Sequence, residues 1–292
     1  MAGTAARRPQ ILDLIGAVCV ALLGAGVLWV SLRHPAGLPG SSDPGAGRTP
    51  AWLTALVVLV IVALTRLAPP RLPPVRVRFT GPPVRIVAVV SGLLGFEAIF
   101  VASSWFPPLF GDADYVFWKV VWYAGAGGLL VFWARRRGQR RHLERPAVGW
   151  WPLLPVLVFC ASLVGGPAAQ RFSNPTGIDP VTVAIIAAIT ALTAGVLEEF
   201  FFRGWLQTRL QALGSGWAAV AISSVAFAGM HLGSHGGGLS TLDSIASVLA
   251  NQGLSGVLLG HLALRYGRLW PSIVAHIGLN GLPVLAYLVA LP

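Results

Sequence analysis

Three short strings of this chain hold residue types from which a hydrolytic site can be built. LEEFFFRGWLQTRL carries Glu198, Glu199 and Arg203 within an apolar run. Phe227-Ala-Gly-Met-His231 closes a second run, and His276-Ile-Gly-Leu-Asn280 lies in a third. On a helix Glu199 and Arg203 stand at i,i+4, share a face and can pair. Glu198 is turned about 100° away and has no obvious partner in its own helix, which suits a general base. His276 and Asn280 are also i,i+4, so a proton-carrying imidazole and an amide donor project to one side. An amide there can stabilise a developing oxyanion. One carboxylate, two histidines and an asparagine converging from three helices would activate water and hydrolyse a bond. The plainer readings are a solvated helix end, marked by Arg203 and Arg209, and polar residues that only pack helices together.

The elements that must position these groups are membrane helices. The 292 residues are 55% hydrophobic and 11% charged, with a mean hydropathy of +0.73. A soluble domain carries about 25% charge, so a soluble globular protein, a disordered chain and a nucleic-acid binder are excluded. About 20 apolar residues span a bilayer. Apolar runs give nine candidate helices, at about 11–32, 51–68, 86–105, 116–134, 149–168, 180–202, 215–231, 242–264 and 269–290. The expected fold is all-α, a polytopic transmembrane bundle, with the motifs confined to residues 180–290 and none in 1–179. Arg7 and Arg8 precede the first run as in a signal peptide. That run is long for one, and no small-x-small cleavage site follows, so an uncleaved anchor is expected. Cys19 and Cys160 both lie in apolar runs, so no disulfide is expected.

The net charge of +11 follows from where the arginines fall. With the N-terminus inside, the cytoplasmic segments hold Arg7, Arg8, Arg66, Arg71, Arg76, Arg78 and Arg85, then the arginines of 135–145. Arg203, Arg209, Arg265 and Arg268 are placed there too. Arg33, Arg48 and Arg171 fall outside, among Asp43, Asp112, Asp114, Asp179 and Asp243. This positive-inside bias predicts a multi-pass protein of the plasma membrane with a cytoplasmic N-terminus and an external C-terminus. One lysine among 21 basic residues, with abundant Ala, Gly and Pro, points to a GC-rich bacterial genome.

A charge at membrane depth is costly and marks function by default. Asp13 sits at the edge of the first helix. Glu97 and Lys119 lie on consecutive antiparallel helices at depths about 6 Å apart, which predicts a structural ion pair between them. The remaining such residues are Glu198, Glu199 and Arg203. His34 and His142 fall in loops, His235 in a glycine-rich outer turn that could line an entrance, and His261 on a helix where packing explains it.

The ordered motifs EExxxR, FxxxH and HxxxN resemble those of the CPBP family of intramembrane endopeptidases, also called the Abi or CAAX prenyl protease 2-like family. They stand here as Glu198-Glu199-Phe-Phe-Phe-Arg203, Phe227-Ala-Gly-Met-His231 and His276-Ile-Gly-Leu-Asn280. The segment GLLGHLALRYGRLWPSIVAH resembles the family's helix–loop–helix connection, and the resemblance covers roughly 180–290. It implies a membrane-bound endopeptidase acting on a membrane-associated protein or peptide, with no nucleic-acid partner. Glu198 would be the general base, with His231 positioning water, His276 and Asn280 stabilising the oxyanion, and Glu199, Arg203 and Phe227 supporting. Substrate would enter from lipid or from the cytoplasmic face. A non-catalytic scaffold or immunity protein of the same fold is the alternative.

Two rival chemistries share these residues. Gly253-Leu-Ser255-Gly256 resembles the GxSG nucleophile string of rhomboid serine proteases, with His276 as base. Leu279 stands where a rhomboid has glycine, and that reading leaves Glu198, Glu199 and Arg203 unexplained; small residues packing helices closely is preferred. HExxH, the two-histidine zinc helix, is absent. Zinc could still be held by Glu198, His231 and His276 with a water, although the carboxylate and the Asn280 donor suffice, so no cofactor is expected.

Overall fold

The computed structural model describes residues 8–39, 47–169, 171–174, 176–234 and 239–291. Arg7, Asp43 and His235, placed by the sequence in terminal or loop positions, lie outside the described residues. Nine continuous helices run through the described chain. They are α1 (Arg8–Arg33), α2 (Ala51–Leu67), α3 (Pro83–Ser103), α4 (Asp114–Arg136) and α5 (Leu153–Val164), then α6 (Pro180–Leu213), α7 (Gly216–Gly229), α8 (Thr241–Tyr266) and α9 (Trp270–Val289). They are the nine apolar runs of the sequence, and the bundle is all-α.

Six of the nine are long and apolar enough to cross a membrane: α1, α3, α4, α6, α8 and α9. The others are shorter than the sequence runs imply. α5 has 12 residues, or about 18 Å at 1.5 Å per residue, against a hydrocarbon core near 30 Å. Pro152 precedes it and Gly165, in an extended conformation, ends it. α7 likewise stops at Gly229, just before the FxxxH histidine. Local chemistry sets the other ends. Asp179 caps α6 through the Thr182 N–H, with Pro180 in the first turn, and Ser215 and Ser240 cap α7 and α8; such caps satisfy N–H groups with no helical partner. Gly267, at φ +64°, ends α8 in a left-handed conformation that glycine adopts freely.

The bundle has two chemically distinct ends. At one, β1 (Arg76–Phe79) and β2 (Arg141–Glu144) pair antiparallel, Arg76 opposite Glu144. Arg209 donates to Gln139 and lies 5.0 Å over the Phe79 ring, while Arg265 donates to the carbonyls of Thr65, Pro69 and Leu72. Burial, then Arg145 and Arg135, pulls the Arg141 guanidinium below its usual range. The loops that precede α2, α4 and α6 form the other end. There Asp243 accepts from Trp29 at 2.9 Å and meets His34 at 3.0 Å, tying α8 to α1. Large apolar side chains such as Leu14, Leu59, Leu129 and Val181 are exposed on the flanks, as lipid contact requires.

Two glycines fix the helix spacing at the motifs. A Cβ on Gly195 of α6 would stand 2.4 Å from Ile277 Cγ1 and 3.2 Å from the Ile277 nitrogen on α9. A Cβ on Gly278 would stand 2.7 Å from Cys160 Sγ on α5. Gly195 precedes Glu198 by three residues and Ile277 follows His276, so this approach brings the carboxylates to the imidazole. Gly195→Val overfills the contact and is expected to cost about 1–3 kcal/mol. The check is a lower melting temperature of the purified chain, larger than that of Gly24→Val, where the added atom meets open space.

Candidate active site

The EExxxR string does not form an α-helix. Residues Thr193–Gln207 of α6 are π-helical, a winding common at functional sites. Its wider turn rotates successive side chains by less than the α-helical 100°. Glu198 and Glu199 therefore both reach His276, whereas the sequence placed only one carboxylate towards it. His276 Nδ1 lies 2.8 Å from Glu199 Oε1, and its Nε2 lies 3.8 Å from Glu198 Oε2. Arg203 donates to the same Glu199 oxygen at 2.9 Å and to the Gly256 carbonyl at 3.3 Å. Its guanidinium also lies 4.4 Å over the Phe227 ring.

Arg203 is 1% exposed and Glu199 fully buried, so Arg203 belongs to this cluster and not to the cytoplasmic arginines where the sequence placed it. The His276 tautomer that carries its proton on Nδ1 donates to Glu199 and leaves Nε2 facing Glu198. Glu199 acts on His276 as the outer carboxylate of a histidine–carboxylate pair, fixing ring orientation and tautomer.

Glu198 is partnered too. Lys119 Nζ on α4 stands 2.6 Å from Glu198 Oε1, with both side chains buried, and lies 4.2 Å over the Tyr115 ring. The expected Glu97–Lys119 pair is therefore corrected. Lys119 bridges to α6, and Glu97, buried on α3, does not pair with it. The expectation that Glu198 stands unpaired is corrected with it. Its second oxygen, Oε2, is the one left without a hydrogen bond. Sequence spacing shows i,i+4 pairs within one helix and cannot show a partner 79 residues away. A lone lysine in mid-span was the available signal.

His231 Nδ1 lies 2.9 Å from the Phe227 carbonyl, one turn back. The Phe227 ring meets His231 edge-on at 5.0 Å and His276 at 5.7 Å, so it packs against both imidazoles. His231, His276 and Asn280 line one cavity of about 510 Å³ with Phe227 and Ser255. Glu198 and Glu199 are not among its lining residues; they sit behind His276. The cavity runs along one face of α9, past Leu279, Pro283 and Val284, to Arg171, Asn174 and Thr176 in the loop before α6.

The rival site residues fare differently. Ser255 lines the cavity but makes no hydrogen bond to His276, and Gly256 packs closely, a Cβ there standing 3.1 Å from Ser224 Cα. His261 bonds Thr65 Oγ1 at 2.9 Å and His142 lies in β2. The ligand set that the sequence offers for zinc is Glu198, His231 and His276. No three of the His, Cys, Asp and Glu side chains are placed to hold a metal among the described residues. Glu198 Oε1 is engaged by Lys119.

Residues 180–282 match the family model described as type II CAAX prenyl endopeptidase, Rce1-like. The family resemblance carried by the three motifs is thus shown. The matched segment runs from the start of α6 into α9 and contains all seven motif residues, and it does not include residues 1–179, Lys119 among them. The match supports a CAAX-type intramembrane endopeptidase in general terms. No curated protein and no solved structure matches the chain.

Glu199→Gln and Arg203→Met each strand a buried partner, which costs about 3–5 kcal/mol. Both purified variants are expected to melt well below the parent chain. The pair is absent if either melts unchanged.

Proposed function

We propose that the chain is an intramembrane endopeptidase that hydrolyses a peptide bond of a membrane-associated protein with a carboxylate-activated water. The observation that carries this reading is the free Glu198 Oε2, 3.8 Å from His276 Nε2 behind a cavity lined by His231, His276 and Asn280. Groups that far apart can both touch one water at hydrogen-bond distance. Glu198 takes the proton as that water attacks the scissile carbonyl. Lys119 holds the opposite oxygen, so Oε2 faces the water in one orientation. The proton reaches His276 Nε2, where the Glu199 carboxylate, itself held by Arg203, supports the charged ring, and passes to the leaving amine. The Asn280 amide, one turn along α9, donates to the oxyanion, while His231 positions the substrate across the cavity. No metal takes part in this scheme. The arginine-rich end lies in the cytoplasm of a bacterial cell, by the positive-inside rule, so the N-terminus is cytoplasmic.

Sequencing of protein termini in cells carrying the parent chain or a variant tests this. Glu198→Gln is expected to remove the cleavage products entirely. Asn280→Ala should reduce them by about 10²–10³-fold, the usual loss for an oxyanion donor. Ser255→Ala should leave them unchanged, and so should a membrane-permeant zinc chelator. A scaffold would give the same termini for the parent chain and for Glu198→Gln; loss on Ser255→Ala would favour a serine nucleophile.

A further inference from the structure

The cavity reaches one end of the bundle, and the arginine-rich loops lie at the other. Apart from the helix faces, the cavity wall is built by residues at one end only. Leu38, Gly47 and Thr49 come from the loop between α1 and α2, and Arg171, Asn174 and Thr176 from the loop between α5 and α6. A further contact joins these loops, since a Cβ on Gly47 would stand 3.2 Å from the Arg171 carbonyl. The paired strands β1 and β2, with Arg76, Arg78 and Arg141, belong to the loops that leave α2 and α4 at the other end.

Helix polarity gives the depth. On α9 the wall residues His276, Leu279, Asn280, Pro283 and Val284 follow the spacing i, i+3, i+4, i+7, i+8, a single face. On α6, Val183, Ile186, Ala187 and Thr190 follow i, i+3, i+4, i+7. From His276 to Val284 is eight residues, about 12 Å of helix, which matches about four residues of extended peptide. The walls of this stretch are mostly apolar and its mouth is polar.

We infer that substrate reaches His276 from the non-cytoplasmic face, as an extended, already translocated segment with apolar side chains beside the scissile bond. Entry from the cytoplasmic face, which the sequence reading allowed, would have to pass the arginine-rich end, where no described loop residue lines the cavity. Arg171 and Asn174 at the mouth then meet the polar part of the segment, in water, while apolar residues fill the groove between α6 and α9. The inference rests on the proposed peptidase activity for the word substrate and on the proposed orientation for the word non-cytoplasmic; the end of the bundle that the cavity reaches depends on neither.

Cysteine labelling separates the two. The full chain with Cys19→Ala and Cys160→Ala receives a single new cysteine: Val284→Cys or Ile186→Cys in the groove, Thr49→Cys at its mouth, or Arg78→Cys at the opposite end. Right-side-out and inverted membrane vesicles are treated with a membrane-impermeant maleimide. The expected result is labelling at 284, 186 and 49 in right-side-out vesicles and at 78 in inverted ones. Labelling of 284 and 186 only in inverted vesicles overturns the inference. So does labelling of these two by a lipid-soluble maleimide alone, which would place the entrance in the bilayer. Repeating the experiment with Glu198→Gln should leave the pattern unchanged. If that variant also leaves the cell's cleavage products unchanged, the peptidase reading fails while the side of access stands.

Discussion

Charge inside a membrane bundle must be paired, and this constraint organises the whole site. Five ionisable groups from three helices are packed where water is scarce. Lys119 meets Glu198, Arg203 meets Glu199, and His276 joins the two carboxylates. Removing a buried ion pair as a unit can be nearly neutral, whereas removing one member leaves a charge that low-dielectric surroundings do not tolerate. The network therefore fixes α4 against α6 and α6 against α9, and the reaction proposed above uses one oxygen and one nitrogen at its edge, Glu198 Oε2 and His276 Nε2.

Local periodicity made the helices legible in the sequence, because apolar runs bounded by proline, glycine and arginine have few other solutions in a membrane. The i,i+4 pair of Glu199 and Arg203 was legible for the same reason, as was the common helix face of His276 and Asn280. Three features were not. The π-helical winding of Thr193–Gln207 depends on the packing of α6 and turns both glutamates towards His276. The Lys119–Glu198 contact joins positions whose proximity is decided by the order of helices in the bundle. Gly195 looks like any other small residue until Ile277 is placed against it. The short α5 was misjudged because Trp150, Trp151 and Pro152 extend the apolar run without extending the helix.

The positioning of the reactive pair draws on both halves of the chain. α6 to α9 supply the motif residues and match a known protease family, yet the counter-cation of the proposed base comes from α4, outside that match. The loops before α2 and α6 shape the cavity mouth. The first 179 residues thus bear on both ends of the proposed reaction path, charge behind Glu198 and access in front of His276.

In the proposed reaction everything turns on Lys119 holding Glu198 in its working orientation. A double-mutant cycle with Lys119→Met and Glu198→Gln, read as the stability of the purified full chain, tests it most directly. A coupling of about 1–3 kcal/mol is expected, as for residues in direct contact, with additive behaviour for a parallel cycle on Lys119 and Glu97. Additivity within about 0.5 kcal/mol for Lys119 and Glu198, with coupling to Glu97 in its place, would contradict it.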